Sequence, residues 1–337
     1  RLQAPREYHS FADVRRALEH RAGALDDVRL FDRLDWMESL HRHCFADVPL
    51  RVIHATQGQS DAWLFLLAPT RGWLEALANY YSFAFAPVVT GAPDPAARRA
   101  MLQAMGRHLR SSSARMSFYP LEDCAELRWA LGRAGWWTVR RTMGGRHLLS
   151  LDGRDFATYW RARPGRLRNL VRRKSRGDPF TLTIHDRMTP DLWDDYVAVQ
   201  ARSWKSVEPE GGLDFLRDLA ERESAAGTLR LGFARQGGQA VATQLWTIDR
   251  GVALIHKLAH DKAFDARSPG TLLSHAMFRH AIDQDRVTMI DYGTGDNGYK
   301  TDWMERRIPL TRVDAFNPRA VNQWPAAVRA MISALVG

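Results

Sequence analysis

Cysteine is nearly absent. The 337 residues hold two, Cys44 and Cys124, which excludes a disulfide framework and a four-cysteine zinc site. Long apolar runs are missing too. Trp63 to Pro69 and Phe83 to Val89 are the longest, far short of the ~20 residues a membrane-spanning helix needs. The histidines never form His-x-x-x-His with a carboxylate helper on one helix; His41 lies close to His43, and His275 and His280 would not share a helix face. No metal site is expected from such spacing. A Walker loop, a Gly-x-Gly-x-x-Gly after a strand and a Gly-x-Ser-x-Gly elbow are all absent.

What is present has an ordinary globular balance, 45% apolar and 26% charged, which rules out disorder, collagen and coiled coil as global descriptions. Acids are outnumbered: Lys+Arg is 48 and Asp+Glu 38, a formal charge of +10. That excess points to an anionic partner: a phosphate-bearing cofactor, an acidic carrier protein or nucleic acid. At ~100–200 residues per domain the length favours two domains. The expectation is a soluble, cytoplasmic protein with two sizeable cores.

The second half reads most clearly. Phe180 to His185 is a β-branched run and predicts a strand. Thr189-Pro190 predicts a helix start, with Leu192, Trp193, Tyr196, Val197 and Val199 at helical spacing up to Trp204. A helix from Leu213 to Ala225 stops at Gly227. Strands follow at 229–234, 240–248 and 252–259, joined by Gln236-Gly237-Gly238 and Asp249-Arg250-Gly251, both hairpin signals. Ser268 suits an N-cap and Pro269 the first helical position, before a buried stripe of Leu272, Leu273, Ala276, Met277 and Ala281. Thr288 to Tyr292 predicts a strand broken by Gly293 and Gly295, then a short helix with Tyr299, Lys300 and Trp303, then a strand over 308–316.

A similar order occurs upstream: a helix over 34–43, strands over 51–55, 63–67 and 80–89, a helix from Asp94-Pro95 to Leu109, a strand over 116–119, a helix over 124–134 and one or two strands over 137–151. Two copies of one α+β unit are expected. Between them, residues 161–176 carry eight Arg or Lys and no acid. This run reads either as a solvated linker helix or as an electrostatic patch for phosphates.

The strand, Ser268-Pro269-Gly270-Thr271-Leu272-Leu273 and helix, then Asp291-Tyr292-Gly293…Tyr299-Lys300…Trp303, with Arg202-Ser203-Trp204-Lys205 upstream, resemble the GNAT acyltransferase superfamily. More narrowly they resemble its CelD/BcsL branch (cellulose-biosynthesis acetyltransferase-like), related to the tandem-GNAT Fem aminoacyl transferases. The resemblance is clearest over 180–316 and diffuse over 25–150. The usual pyrophosphate loop, Gln/Arg-x-x-Gly-x-Gly/Ala, is replaced here by Arg267-Ser268-Pro269-Gly270-Thr271. The resemblance implies an α+β fold of two tandem GNAT-like domains, each a mixed, mostly antiparallel sheet flanked by helices. The boundaries expected are 1–155, a basic linker helix over 156–178, and a catalytic domain over 179–337.

A helix N-terminus offers unpaired N–H groups and partial positive charge. Ser268, Gly270 and Thr271 are small enough for a pyrophosphate to approach, and Lys262 and Arg267 add charge. The upstream helix begins with Asp94, whose carboxylate would occupy the anion site, so donor binding is expected in the second copy alone. The resemblance further implies a thioester lying along the strand before the helix, its carbonyl polarised by a backbone N–H near Leu258. A base must accept the amine proton and an acid must protonate the thiolate. The candidates are His256, Asp291, Asp296 and Tyr299, with Tyr299 the preferred acid. Trp204, Lys205 and Glu208 are acceptor-side candidates, joined by Tyr292 and Lys300.

The function expected is transfer of an acetyl or longer acyl group from acyl-CoA to an amine of a sugar, peptide or small metabolite, without a metal. An aminoacyl-tRNA or acyl carrier protein docked on 161–176 is the alternative donor. A non-catalytic basic binding protein ranks last, because the aromatics follow core periodicities.

Overall fold

The computed structural model describes residues 1–21, 25–204 and 207–336. The chain divides into two compact units, Arg1–Gly144 with Pro309–Gly337, and Gly145–Ile308. It leaves the first unit within strand β7 (Trp137–Ser150) and returns within β13 (Arg306–Phe316).

In the first unit the strand order is β1 (Arg6–Tyr8), β2 (Leu50–Gln57), β3 (Ser60–Thr70), β4 (Trp73–Ala76), β6 (Arg115–Leu121) and β13, with β5 (Val88–Thr90) also on β3. Every pairing there is antiparallel except β4 with β6. Helix α3 (Pro95–Arg110) makes that parallel crossover and α4 (Ala125–Arg133) follows β6. Gly106 of α3 faces α4, where a Cβ would stand 2.9 Å from that of Ala134. The Asp94 carboxylate caps α3, accepting from the N–H of Ala97 at 2.8 Å.

The predicted strand over 80–89 is a correction. Only Val88–Thr90 is a strand, and residues 77–87 form an irregular segment. Asn79 bends the chain: its Oδ1 accepts from Tyr81 N–H at 3.0 Å and its carbonyl from Ser82 N–H at 2.9 Å. Tyr81, Phe83, Ala84 and Phe85 are all buried. Phe85 N–H finds its acceptor in the carbonyl of Pro120, at 2.7 Å.

The second unit repeats the scheme. Its order is the second half of β7, then β12 (Met289–Thr294), β11 (Val252–His260), β10 (Gln239–Asp249), β9 (Leu229–Gln236) and β8 (Thr181–His185). Only β11 with β12 is parallel. Helix α7 (Pro190–Arg202) starts as predicted, with the Thr189 hydroxyl accepting from Leu192 N–H at 3.3 Å. Gly227 ends α8 (Gly212–Ala226) in the left-handed region, φ 76°. Helix α9 (Pro269–Arg279) makes the parallel crossover and lies directly on the sheet at Gly232, where a Cβ would come within 2.5 Å of Met277 Sδ.

The units divide differently from the expected 1–155, 156–178 and 179–337. Residues 309–337 return to the first unit because β13 pairs with β6 through Thr311 to Phe316. The basic segment is α5 (Phe156–Arg161) and α6 (Gly165–Lys174). Phe156, Tyr159, Leu167 and Val171 from these helices are buried in the same cluster as Leu273, Met277 and Phe278 of α9. The segment is therefore part of the second core: Arg163 is buried, bonded to Tyr159 O, Met304 O and Glu305, while Arg166, Arg168, Arg172 and Arg173 are exposed.

Candidate active site

The central geometry is an opening between two strands. β11 and β12 are in register at Val252–Met289, Ala253–Ile290 and Leu254–Asp291, and their pairing ends there. β11 continues to His260 and β12 to Thr294. A bulge accompanies the opening: Leu245 of β10 faces Lys257 while Trp246 faces Ile255, leaving His256 as the extra residue. A bulge turns a strand and re-aims its side chains.

The first turn of α9 stands just past β11. Ser268 occupies the N-cap position, but at φ 55° and ψ 46° its side chain makes no capping hydrogen bond. This corrects the simple cap expected from sequence. α3 is closed by a carboxylate, whereas the α9 turn has none at its cap. Gly270 leaves room for a side chain: a Cβ there would meet only the His260 side chain, with Nδ1 nearest at 3.5 Å. The His260 ring is itself bonded through Nε2 to Asp265. Gln244 fixes the turn from below, donating to Gly270 O at 3.3 Å and Ser274 Oγ at 2.7 Å while accepting from Trp246 Nε1 at 2.9 Å. Arg267 stacks over Phe180 and Phe264 at 5.2 and 5.7 Å. Lys174 of α6 donates to Ala266 O at 2.5 Å.

Residues 161–301 match the family of acetyltransferase (GNAT) domains. The chain carries a GNAT-type acyltransferase domain. Over nearly its whole length it is also similar in fold to several solved structures. It shares 14% identity with L-PGS from Bacillus licheniformis, covering 96% of this chain and 95% of that one, with a TM-score of 0.56. For FemX the values are 9%, 95%, 99% and 0.58. For a tandem GNAT protein from the clavulanic acid biosynthesis pathway they are 12%, 93%, 98% and 0.52. Identities this low establish the fold: α+β, with two GNAT-like domains. Curated protein sequences give no match.

Within the GNAT domain the predicted site residues separate into three groups. Some are held in structural bonds. Asp291 is fully buried at the point of the opening. Its Oδ2 accepts from Arg146 Nε at 2.8 Å and also from Nη2, and its Oδ1 accepts from Gly293 N–H at 2.9 Å. Asp296 is exposed and gripped by Arg307 at 2.7 and 3.0 Å, a hydrogen bond that holds its carboxyl below the ordinary range. Lys300 is buried, and its ammonium donates to Thr294 O at 2.7 Å and Tyr292 O at 3.4 Å. Burial lowers its pKa to about 8, with Asp291 and Asp296 acting against the shift. These bonds tie down the turn after β12 and argue against a phosphate contact for Lys300. Tyr292 is buried beside Ser274, and burial raises its hydroxyl pKa well above the ordinary value. His256 Nε2 is hydrogen-bonded to Thr247 Oγ1 at 2.7 Å, and burial pushes its pKa down to about 3. It is a neutral and weak base at physiological pH.

A second group converges on the diverging half of β11. Glu208 has a side chain only 3% exposed, with Oε1 2.5 Å from Lys257 Nζ and accepting from Gln200 Nε2 at 2.6 Å. Tyr299 precedes α10 (Lys300–Trp303), and its hydroxyl accepts from Asn297 Nδ2 at 3.3 Å. Burial raises its pKa while Asn297 and the nearby Lys257 charge lower it. Sequence reasoning missed Lys257, Gln200 and Gln244. Lys257 could have been suspected as the one lysine inside a largely apolar strand.

The third group surrounds α9 and the acceptor side. Leu258 lies opposite Gln244 in the β10–β11 ladder. Lys262 and Arg267 bound the short 3-10 helix before Ser268. Thr271 is in the first turn of α9. Trp204 is 68% exposed. Lys205 lies outside the described residues. Among the described residues no cluster of His, Cys, Asp or Glu is placed to hold a metal ion, and no helix is long and apolar enough to cross a membrane.

Proposed function

We propose that the GNAT domain transfers an acetyl or longer acyl group from acyl-CoA to an amine of a sugar, peptide or small metabolite. The observation that carries this reading is the end of β11–β12 pairing at Leu254–Asp291, beside an α9 turn with no carboxylate cap. The donor's diphosphate meets the N–H groups of Gly270 and Thr271, with Lys262 and Arg267 adding charge. Its pantetheine arm takes the place of the missing ladder partner along Ile255 to Ala259. The N–H near Leu258 polarises the thioester carbonyl.

The amine enters on the side of Trp204, Lys205 and Glu208. Glu208 accepts its proton and the free lone pair attacks the carbonyl carbon. The tetrahedral adduct then expels the thiolate, breaking the C–S bond; Tyr299 supplies the proton that makes it a thiol, and the extra proton on the adduct's nitrogen passes to the Tyr299 phenolate, leaving a neutral amide. Lys257 is ion-paired with Glu208, and its charge favours the anionic form of Tyr299. Asp291 and Lys300 act as positioning residues, holding the opening and the turn that carries Tyr299. The Arg-Ser-Trp-Lys, Ser-Pro-Gly and Asp-Tyr-Gly…Tyr-Lys segments support a place in the CelD/BcsL-type branch, and the chemistry fits a cytoplasmic enzyme.

Titration calorimetry with acetyl-CoA, followed by transfer assays over an amine panel, tests the reading. Binding in the micromolar to millimolar range is expected; none at millimolar ligand would overturn it.

A second donor is favoured by one observation. α6 carries Arg166, Arg168, Arg172, Arg173 and Lys174, and Lys174 touches the residue before Arg267. Aminoacyl-tRNA or an acyl carrier protein would use that face. Binding that falls steeply with salt would favour it; salt-insensitive turnover of free acyl-CoA would exclude it.

A further inference from the structure

We propose that the last helix, α11 (Trp324–Val336), and the groove beside it seat the protein on an anionic lipid surface. The helix lies in the headgroup plane and does not cross.

The helix is packed inside out. Ala327 is buried, and Ala326, Ala330 and Ala334 pack with it against Val139 and Phe316. The large apolar residues face away: Val328, Ile332 and Leu335 are 53%, 57% and 87% exposed. A helix made only to complete a core would bury the large side chains and expose the small ones. The open face continues into a groove of about 480 Å³, walled by Trp136, Trp137, Trp324, Val328 and Met331. Trp137 and Trp324 lie 5.7 Å apart between ring centroids, and both are partly exposed. Contiguous apolar surface of this kind marks an interaction site.

Charge identifies the occupant. The groove is lined from residues 136–138 and 324–331, whose single charged residue is Arg329. Flanking these stretches are Arg128, Arg133, Arg140, Arg141 and Arg319; of the nearest acids, Glu126 is held by Arg98 at 2.6 Å and Asp314 is buried. Arg141 is engaged by the buried Asp314 just outside. Arg128 donates to Thr138 on the groove wall at 3.3 Å, and Arg133 stacks on the exposed Trp129 ring. Apolar residues to insert, indole rings for the interface and arginines for lipid phosphates match an interfacial helix on anionic lipid. A second copy of the chain fits less well, since a two-fold pairing would set Arg329 and its neighbours against their own copies. Nucleic acid fits less well, because the most exposed side chains of the helix face, Val328, Ile332 and Leu335, are aliphatic and give bases nothing to stack on. At 13 residues α11 is too short to span a bilayer.

The test is co-sedimentation of the full chain with vesicles of phosphatidylcholine alone or with about a third phosphatidylglycerol. The chain is expected to pellet with the anionic vesicles and to remain in solution with the neutral ones. Ile332→Ser combined with Leu335→Ser should abolish pelleting, and Arg329→Glu should weaken it at least ~10-fold. Each variant should keep the wild-type circular dichroism and melting temperature, because the altered side chains are exposed. Three results would overturn the proposal: no pelleting at low salt, pelleting that the double variant retains, or a dimer in solution that the double variant dissolves.

Discussion

Leu254 and Asp291 form the last rung shared by β11 and β12. Asp291 is also opposite Leu148 of β7 on its other side. The residue at the point of the opening is thus a carboxylate enclosed by strands on both flanks, and Arg146 neutralises it.

Removing either member of that pair leaves a buried charge without its partner. Asp291→Ala and Arg146→Ala should each destabilise the second unit by ~3 kcal/mol. The double variant should lose less than the sum of the two. Urea denaturation monitored by tryptophan fluorescence measures all three.

Gly270→Ala separates folding from donor binding. The added methyl meets only His260 at ordinary van der Waals distance. Stability should therefore change little or rise slightly, since alanine is the better helix former. Donor affinity should fall at least ~10-fold, because the methyl stands where the diphosphate must approach the backbone. Calorimetry and a melting curve on the same sample check both halves.

Tyr299→Phe removes the proton donor and leaves the ring. Turnover should drop about 100-fold with little change in donor affinity. The ring is partly exposed and its contact with Tyr292 is retained, so the melting temperature should hold. Single-turnover kinetics distinguish a chemical defect from slow product release.

Lys300 makes stability depend on pH in a specific direction. Its folded pKa is about 8, against 10.5 for a free lysine. Below about pH 8 it is charged in both states, and burying that charge opposes folding in full. Between about 8 and 10.5 the unfolded chain binds more protons, so the native state gains stability as pH rises. Against Lys300→Met, which does not titrate, the wild type should gain ~3 kcal/mol across that window. Paired urea titrations at several pH values measure the gain.

Local signals made much of the fold legible. Thr189-Pro190, Gly227 and the Gly-rich hairpins mark element ends through backbone conformations few other residues adopt, and the structure places those ends accordingly. The segment 79–87 was not legible. Its aromatic density reads as a strand until Asn79 is seen to bond its own neighbours and Phe85 to reach Pro120. The candidate site divides in the same way. Ser268, Pro269 and Gly270 are contiguous and announce a helix start, although the left-handed backbone of Ser268 is not written in its side chain. The partners of the titratable residues come from other elements of the fold. Arg146 reaches Asp291 and Arg307 reaches Asp296 only after the strands align. Lys257 and Gln200 likewise meet Glu208 only in the fold. A residue's type gives its chemistry, but what neutralises it is set by tertiary pairing.

A crystal structure with CoA bound tests the central claim most directly. The account predicts the diphosphate within hydrogen-bond distance of the Gly270 and Thr271 N–H groups, with the pantetheine running along β11 beyond Leu254. A diphosphate seated at the start of α3, or an α9 turn covered by protein in the complex, would contradict it.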